Sequence, residues 1–255
     1  MTKSKKNVSK TSLEISKDKI EKKPVSKKKV TKKLDLKKIV QADFPEHQYY
    51  PQEQKKNQIV LHHTASGRGV SGDIAWWKSD AIHVATCVLI AHDGTIVQCF
   101  SSKFWAHHLG VKSAFLKSKG FSDYYNRNIL LNQKSVAIEV DNWGGLTQAT
   151  KTDGAWYSYT GKIIADKDVV IYDTPFRGYK GFERYTDAQI ESVRQLLVFW
   201  RDRYDISLAY NDDMWDISQR ALSGENGVWT HCSFRPDKSD IHPQKEMIEM
   251  LKSLS

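Results

Sequence analysis

Two short apolar runs, "IVLHH" at 59–63 and "VAIEV" at 136–140, set the terms for any fold of this chain. The first is β-branched, bounded by polar residues and too short for a helix, which predicts a buried strand. Successive strand side chains point to opposite faces. Ile59, Leu61 and His63 therefore fall on one side, Val60 and His62 on the other. At most one of the two adjacent imidazoles can face a given cleft, and geometry alone leaves open which. The second run alternates as well. Val136, Ile138 and Val140 share one face, while Ser135, Ala137 and Glu139 share the other. An acid that follows two small residues on one face suits the wall of an open cleft better than a packed core.

The rest of the pattern mixes strands with helices. "SGDIAWWKS" (71–79) predicts a short helix with Ser71 as its N-cap. "ATCVLIAHDGTIVQCF" (85–100) reads as two strands around an Asp93-Gly94 hairpin turn. In "YTDAQIESVRQLLVFWRDRYDI", Thr186 is the N-cap, Gln189 follows three residues on, and apolar residues recur at 190, 193, 197 and 200, which predicts a capped amphipathic helix. A last short helix is expected over about 243–253. The stretch 141–184 is rich in Gly, Thr, Tyr and Trp. It is longer than an ordinary loop, so it is expected to be functional or a small subdomain. Such an order predicts the α/β class, a single mixed β-sheet with helices packed on it. Ligands of such sheets sit at strand ends and in the loops beyond them.

A length of 255 residues with 40% apolar content suits one well-packed domain. The net charge of +9 would suggest a nucleic-acid binder were it spread over the surface. It is not. Residues 1–40 hold 15 lysines against 4 acidic residues, a net +11, and the other 215 residues carry 24 basic against 26 acidic groups, a net −2. The Lys-rich tail 1–40 has no aromatic residue and is expected to be disordered. It is a candidate for weak, salt-sensitive polyanion binding. No apolar segment follows its lysines, so it does not read as a secretory signal, and no run reaches the ~18 residues of a membrane span. Residues 41–57 read as a polar linker, with the compact domain from 58 onward. Cys87, Cys99 and Cys232 are odd in number and widely spaced, which predicts reduced core thiols and synthesis in a cytoplasm.

The segment "WTHCSFRPDKSDIHP" (229–243) crowds His231, Lys238 and Asp240 into one loop. Imidazole and carboxylate together suit Zn²⁺, whose catalytic sites keep three protein ligands. Lys238, two residues from Asp240, would aim a cation at the same place. The blocks "IVLHHTAS", "LIAHDGTIVQ", "AHHLGVKS", "SVAIEVDNWGG" and "HCSFRPDKSD" resemble, in order and spacing, the zinc-dependent N-acetylmuramoyl-L-alanine amidases. That family also includes phage T7 lysozyme and the animal peptidoglycan recognition proteins. The resemblance covers roughly 58–143 and 184–252.

The resemblance implies an amidase/peptidoglycan-recognition-protein-like fold and one Zn²⁺ held by His62, His231 and Asp240, with His63 in a variable slot. It implies Glu139 as general base and then acid, and Lys238 as the stabiliser of the oxyanion. His108, with Thr64, would line the substrate groove, and Trp143, Trp156 and Tyr157 could form a stacking wall. The implied reaction is hydrolysis of the amide between N-acetylmuramic acid and L-alanine of peptidoglycan, by a monomeric phage-type endolysin. Such a lysin is made without a signal peptide and acts at the bacterial cell wall. The alternative is a module that binds muropeptides without cutting them. Thr86 stands where some members carry a catalytic Tyr. The nine-residue step from His231 to Asp240 is one shorter than in bacterial members with Asp, which points to a loop deletion near Asp237. The stretch 144–184 is longer than in the minimal enzymes. His63 and His107 are expected to be structural, Cys232 a buried thiol, "AWW" and "FWA" core, and His83, His92 and His242 surface or loop groups.

Overall fold

The computed structural model describes residues 33–67, 69–79, 82–149 and 154–255. The expectation of disorder and polyanion binding for 1–32 lies outside the described residues. In chain order the elements are β1 (Val40–Gln41), β2 (Gln58–His63), α1 (Val70–Ser79), β3 (Val88–Ile90), β4 (Ile96–Gln98), α2 (Ser113–Ser118), α3 (Tyr124–Lys134) and β5 (Ser135–Val140). There follow β6 (Gly145–Gln148), β7 (Trp156–Tyr157), β8 (Ile163–Ile164), β9 (Val169–Phe176) and β10 (Tyr179–Glu183). The chain ends with α4 (Asp187–Tyr204), α5 (Gln219–Ser223), β11 (Gly227–Thr230) and α6 (Lys245–Ser253). None of the described helices is long and apolar enough to cross a membrane.

The expected mixed sheet has six strands in the order β1-β4-β3-β5-β2-β11. Its centre is parallel: β2 lies between β5 and β11, and β3 runs parallel to β5 on the far side. The Asp93-Gly94 turn returns β4 antiparallel to β3. Every residue of β2 is buried, as expected of a strand covered on both faces. One apolar cluster joins Ile59, Leu61, Leu89 and Ile138 of the sheet to Val193, Leu197 and Trp200 of α4 and to Met247 and Leu251 of α6. The helix predicted from Ser71 begins one residue earlier, at Val70.

Residues 41–57, expected as a polar linker, pack against the sheet. The described residues from Lys33 onward belong to one compact unit. Val40 pairs with Val97, extending the sheet, and Tyr49 stacks on Phe100 at 4.7 Å and on Phe104 at 5.7 Å. Tyr50 stacks on Trp105 at 3.9 Å. Polar composition made 41–57 look like a linker, but its few aromatics meet the aromatics of "FSSKFW". Residues 33–40 are likewise described as part of this unit and not as a loose tail.

The stretch 144–184 forms a second sheet, β8-β7-β6-β10-β9, antiparallel throughout. Its own small core is Trp143, Leu146, Trp156, Ile164 and Val169. Gly181 has to be glycine, because a Cβ there would run into the Trp156 ring. The stacking wall expected of Trp143 and Trp156 is therefore corrected: they are 8% and 4% exposed and spend their rings on this core.

Helix α4 starts at the predicted capping box. Gln189 N donates to Thr186 Oγ1 at 3.1 Å, and Thr186 N donates to Gln189 Oε1 at 3.1 Å. The Thr186 hydroxyl also donates to the His92 carbonyl at 2.9 Å. Replacing Thr186 with Ala should cost about 1–2 kcal/mol in urea unfolding, and Thr186→Ser should retain most of that.

Candidate metal centre

Parallel pairing places the chemistry in one row. His62 of β2 stands opposite Glu139 of β5, and Thr230 of β11 stands opposite Leu61. The next residue after β11 is His231, so Glu139, His62 and His231 come from the carboxyl ends of three adjacent parallel strands. Crevices at that end of an open sheet are where such folds place ligands. The loop after β11 then returns Asp240, whose carbonyl accepts from Cys232 N at 3.2 Å.

Three donor atoms meet there. His62 Nδ1 and His231 Nδ1 are 3.0 Å apart, and Asp240 Oδ2 is 3.2 Å from the first and 2.9 Å from the second. The hydrogen bonds behind the rings decide what those atoms carry. Ser135 Oγ donates to the Leu131 carbonyl at 2.7 Å, so it accepts from His108 Nε2–H at 2.7 Å. Neutral His108 then has a bare Nδ1, which accepts from His62 Nε2–H at 3.0 Å. His231 Nε2–H donates to the Leu109 carbonyl at 2.9 Å. Each neutral imidazole has one protonated nitrogen. With both rings neutral, the two Nδ1 atoms present lone pairs to each other and to a carboxylate.

Lone pairs facing one another at 3 Å repel unless a cation lies among them. A tetrahedral Zn²⁺ with bonds of ~2.0–2.1 Å spaces its ligand atoms by about 3.3 Å. The three edges match that spacing, and the donors are buried and lie within 4.8 Å of one another. The electrostatics fit as well. Burial, with His231 beside it, lowers the His62 pKa to about 4 against the pull of Asp240. Burial, then His62, holds His108 well below its ordinary value. Neutral imidazole and ionised carboxylate are the forms a divalent ion requires.

The donors open onto a cleft of about 390 Å³, lined among others by Thr64, Trp76, His107, Glu139 and Lys238. Burial, then the Asp240 and Asp73 carboxylates, push the Glu139 pKa well up, and Lys238 opposes them.

The opening ambiguity of the two histidines is settled by the fold. His63 turns to the other side, where Tyr185 Oη donates to its Nδ1 at 2.8 Å, because the same oxygen accepts from His242 N. Gly144 has φ +71°, and a Cβ on it would strike the His63 ring, so this turn also depends on glycine. His242, expected to be a surface or loop group, lies in a loop but not at the surface. It is fully buried, stacked between Phe182 and Tyr185 at 4.6 and 4.4 Å.

Of the expected site residues, the structure brings together His62, His231, Asp240, Glu139, Lys238, His108 and Thr64. Trp143 stands apart. Thr64 is half-buried, and its Oγ1 accepts from Asn142 N at 3.2 Å and from Ser66 Oγ at 3.0 Å. His108 lines the cleft, but both its ring nitrogens serve the relay to His62. Three contributors escaped sequence reasoning. Ser135 looked like a spacer. Asn132, whose Oδ1 accepts from His108 N and Leu109 N at 2.8 and 3.1 Å, lies on a helix not predicted at all. Trp76, grouped with the core in "AWW", is 59% exposed at the cleft.

Groups that orient a metal-bound histidine govern affinity by about 10–100-fold. Zinc titration against a competing chelator should show a loss of that size for His108→Phe and a loss in the same direction for Ser135→Ala.

Comparison with curated proteins gives no match. Among solved structures the chain is similar to PlyL, with 15% identity over 85% of this chain and 98% of that chain and a TM-score of 0.47. It is also similar to the N-acetylmuramoyl-L-alanine amidase LysC from Clostridium intestinale URNW, with 13% identity over 85% and 97% and a TM-score of 0.45. A third likeness is peptidoglycan recognition protein-LE in complex with tracheal cytotoxin, with 15% identity over 86% and 94% and a TM-score of 0.43. The profile of the family described as N-acetylmuramoyl-L-alanine amidase matches residues 52–243, well over half of the chain and all three converging donors. On that match the chain belongs to the N-acetylmuramoyl-L-alanine amidase family.

Proposed function

We propose that the protein is a zinc-dependent amidase that hydrolyses the bond between the lactyl carbonyl of N-acetylmuramic acid and the nitrogen of L-alanine in peptidoglycan. The observation that carries this reading is the meeting of three donor atoms of metal-ligand type beside a half-buried acid, all lining one cleft. His62 Nδ1, His231 Nδ1 and Asp240 Oδ2 would hold the ion. When bound, Zn²⁺ supplies Lewis-acid polarisation and makes water acidic enough to act near neutral pH.

The remaining work falls to side chains. Glu139 takes a proton from the attacking water as its oxygen adds to the lactyl carbon, and passes that proton to the alanine nitrogen as the C–N bond breaks. The products are a lactyl carboxylate and a stem peptide with a free amine. A carboxyl raised by burial and by neighbouring carboxylates, yet restrained by Lys238, suits a group that must both accept and return a proton. Lys238 faces the same cleft and offsets the charge that develops on the carbonyl oxygen. Thr64 and Trp76, on the cleft wall, contact the glycopeptide. In this reading the protein acts on bacterial cell walls as a lysin of the phage type, with one ion per chain and no partner subunit.

Incubation with purified sacculi should release stem peptides with new N-terminal alanine. Glu139→Gln should lower that rate by about 10²–10⁴-fold while zinc is retained. Retention on sacculi with no new amine would instead indicate a module that binds muropeptides without cutting them.

A further inference from the structure

The second sheet ends in a two-residue hairpin loop, Arg177-Gly178, closed by the Phe176–Tyr179 pair. Both loop residues have positive φ, +49° at Arg177 and +86° at Gly178. Turns of this kind favour Asn or Gly at the first position, and arginine there is strained. The side chain shows what the strain accompanies. The whole side chain is only 15% exposed, and its guanidinium turns to the segments around 215 and 232. Arg177 Nη2 donates to the Cys232 carbonyl at 3.2 Å, to the Trp215 carbonyl at 3.3 Å and to Asp216 Oδ1 at 2.8 Å, and Nη1 donates to the Pro236 carbonyl at 3.3 Å.

Two of those acceptors lie in the loop 231–240, which carries His231, Lys238 and Asp240. Cys232 is its knot: the nitrogen donates to the Asp240 carbonyl, Sγ donates to the Lys238 carbonyl at 3.3 Å, and the carbonyl is taken by Arg177. The far end of the loop is fixed by the same sheet. His242 Nε2–H donates to the Glu183 carbonyl at 2.9 Å, and Tyr172 Oη donates to His242 Nδ1 at 2.7 Å.

We propose that Arg177 is a positioning residue for the metal centre: the β9–β10 hairpin reaches over the ligand loop and fixes the distance between His231 and Asp240. The inference rests on the metal reading of the site proposed above. It assigns the second sheet a task, which is to bind the Cys232 and Pro236 carbonyls of that loop. A planar fork of N–H donors can hold several acceptors in one geometry, which a lysine ammonium cannot.

The test measures zinc affinity of the full chain by competition with a chelator, and amide hydrogen exchange over 231–240. Arg177→Ala should weaken zinc binding by about 10–100-fold and speed exchange at Cys232 and Lys238, with Arg177→Lys intermediate. Thr186→Ala, which weakens α4 at a distance from the loop, should leave zinc affinity unchanged and so separates positioning from general loss of stability. If Arg177→Ala does not fold, Arg177→Lys carries the test by the same criterion. Wild-type affinity in the folded arginine variant overturns the proposal while leaving the metal reading intact. Failure of the wild-type protein itself to bind zinc overturns both.

Discussion

Parallel pairing of β5, β2 and β11 is the constraint on which the rest of this structure depends. Pairing His62 with Glu139, and Leu61 with Thr230, places three functional side chains in one row at the end of three strands. A slip of one residue would invert every side chain of β2. His63 would then face the row, and His62 would enter the polar network around Tyr185. Both faces of β2 are packed in the main core, Ile59 and Leu61 on one and Val60 on the other, so such a slip would repack both. The register of β2 against β5 and β11 thus fixes which histidine can reach the centre.

Around the row, the protein devotes many polar groups to orienting a few. Two relays, one through His108 and Ser135 and one through the Leu109 carbonyl, settle which nitrogen of each imidazole is bare. Burial favours the neutral form of both His62 and His108. A third network, Tyr172–His242–Glu183 with Tyr185 and His63, joins the second sheet to the first without touching the donors. The site is therefore held from both sheets, and its geometry is set by backbone carbonyls as much as by side chains.

Much of this was legible in the sequence. Alternation in "KSVAIEV" separates Glu139 from the core face, Thr186 and Gln189 announce α4, and Asp93-Gly94 announces the hairpin. The resemblance in five ordered blocks picks out His62 over His63, which alternation alone could not do, because the deciding neighbour, His231, lies just after β11, far along the chain. What escaped has physical reasons. Tyr49 and Tyr50 sit in polar surroundings, and only their stacking partners at 100, 104 and 105 bring Tyr49 into the core and hold Tyr50 against the domain. His242 precedes a proline in a polar stretch, and nothing local signals the two rings that enclose it. Trp143 follows the acid's strand and looked available, but it closes a second core that composition over 144–184 did not reveal.

The central claim is that two imidazole nitrogens and one carboxylate oxygen share a single divalent ion. X-ray absorption at the zinc edge, on protein reconstituted with one equivalent of zinc, tests it most directly. The account predicts a light-atom shell at ~2.0–2.1 Å with the outer scattering of two imidazoles, lost when His231 is replaced by Ala. A sulfur shell at ~2.3 Å, which would bring in Cys232, or zinc that dialyses away, would contradict it.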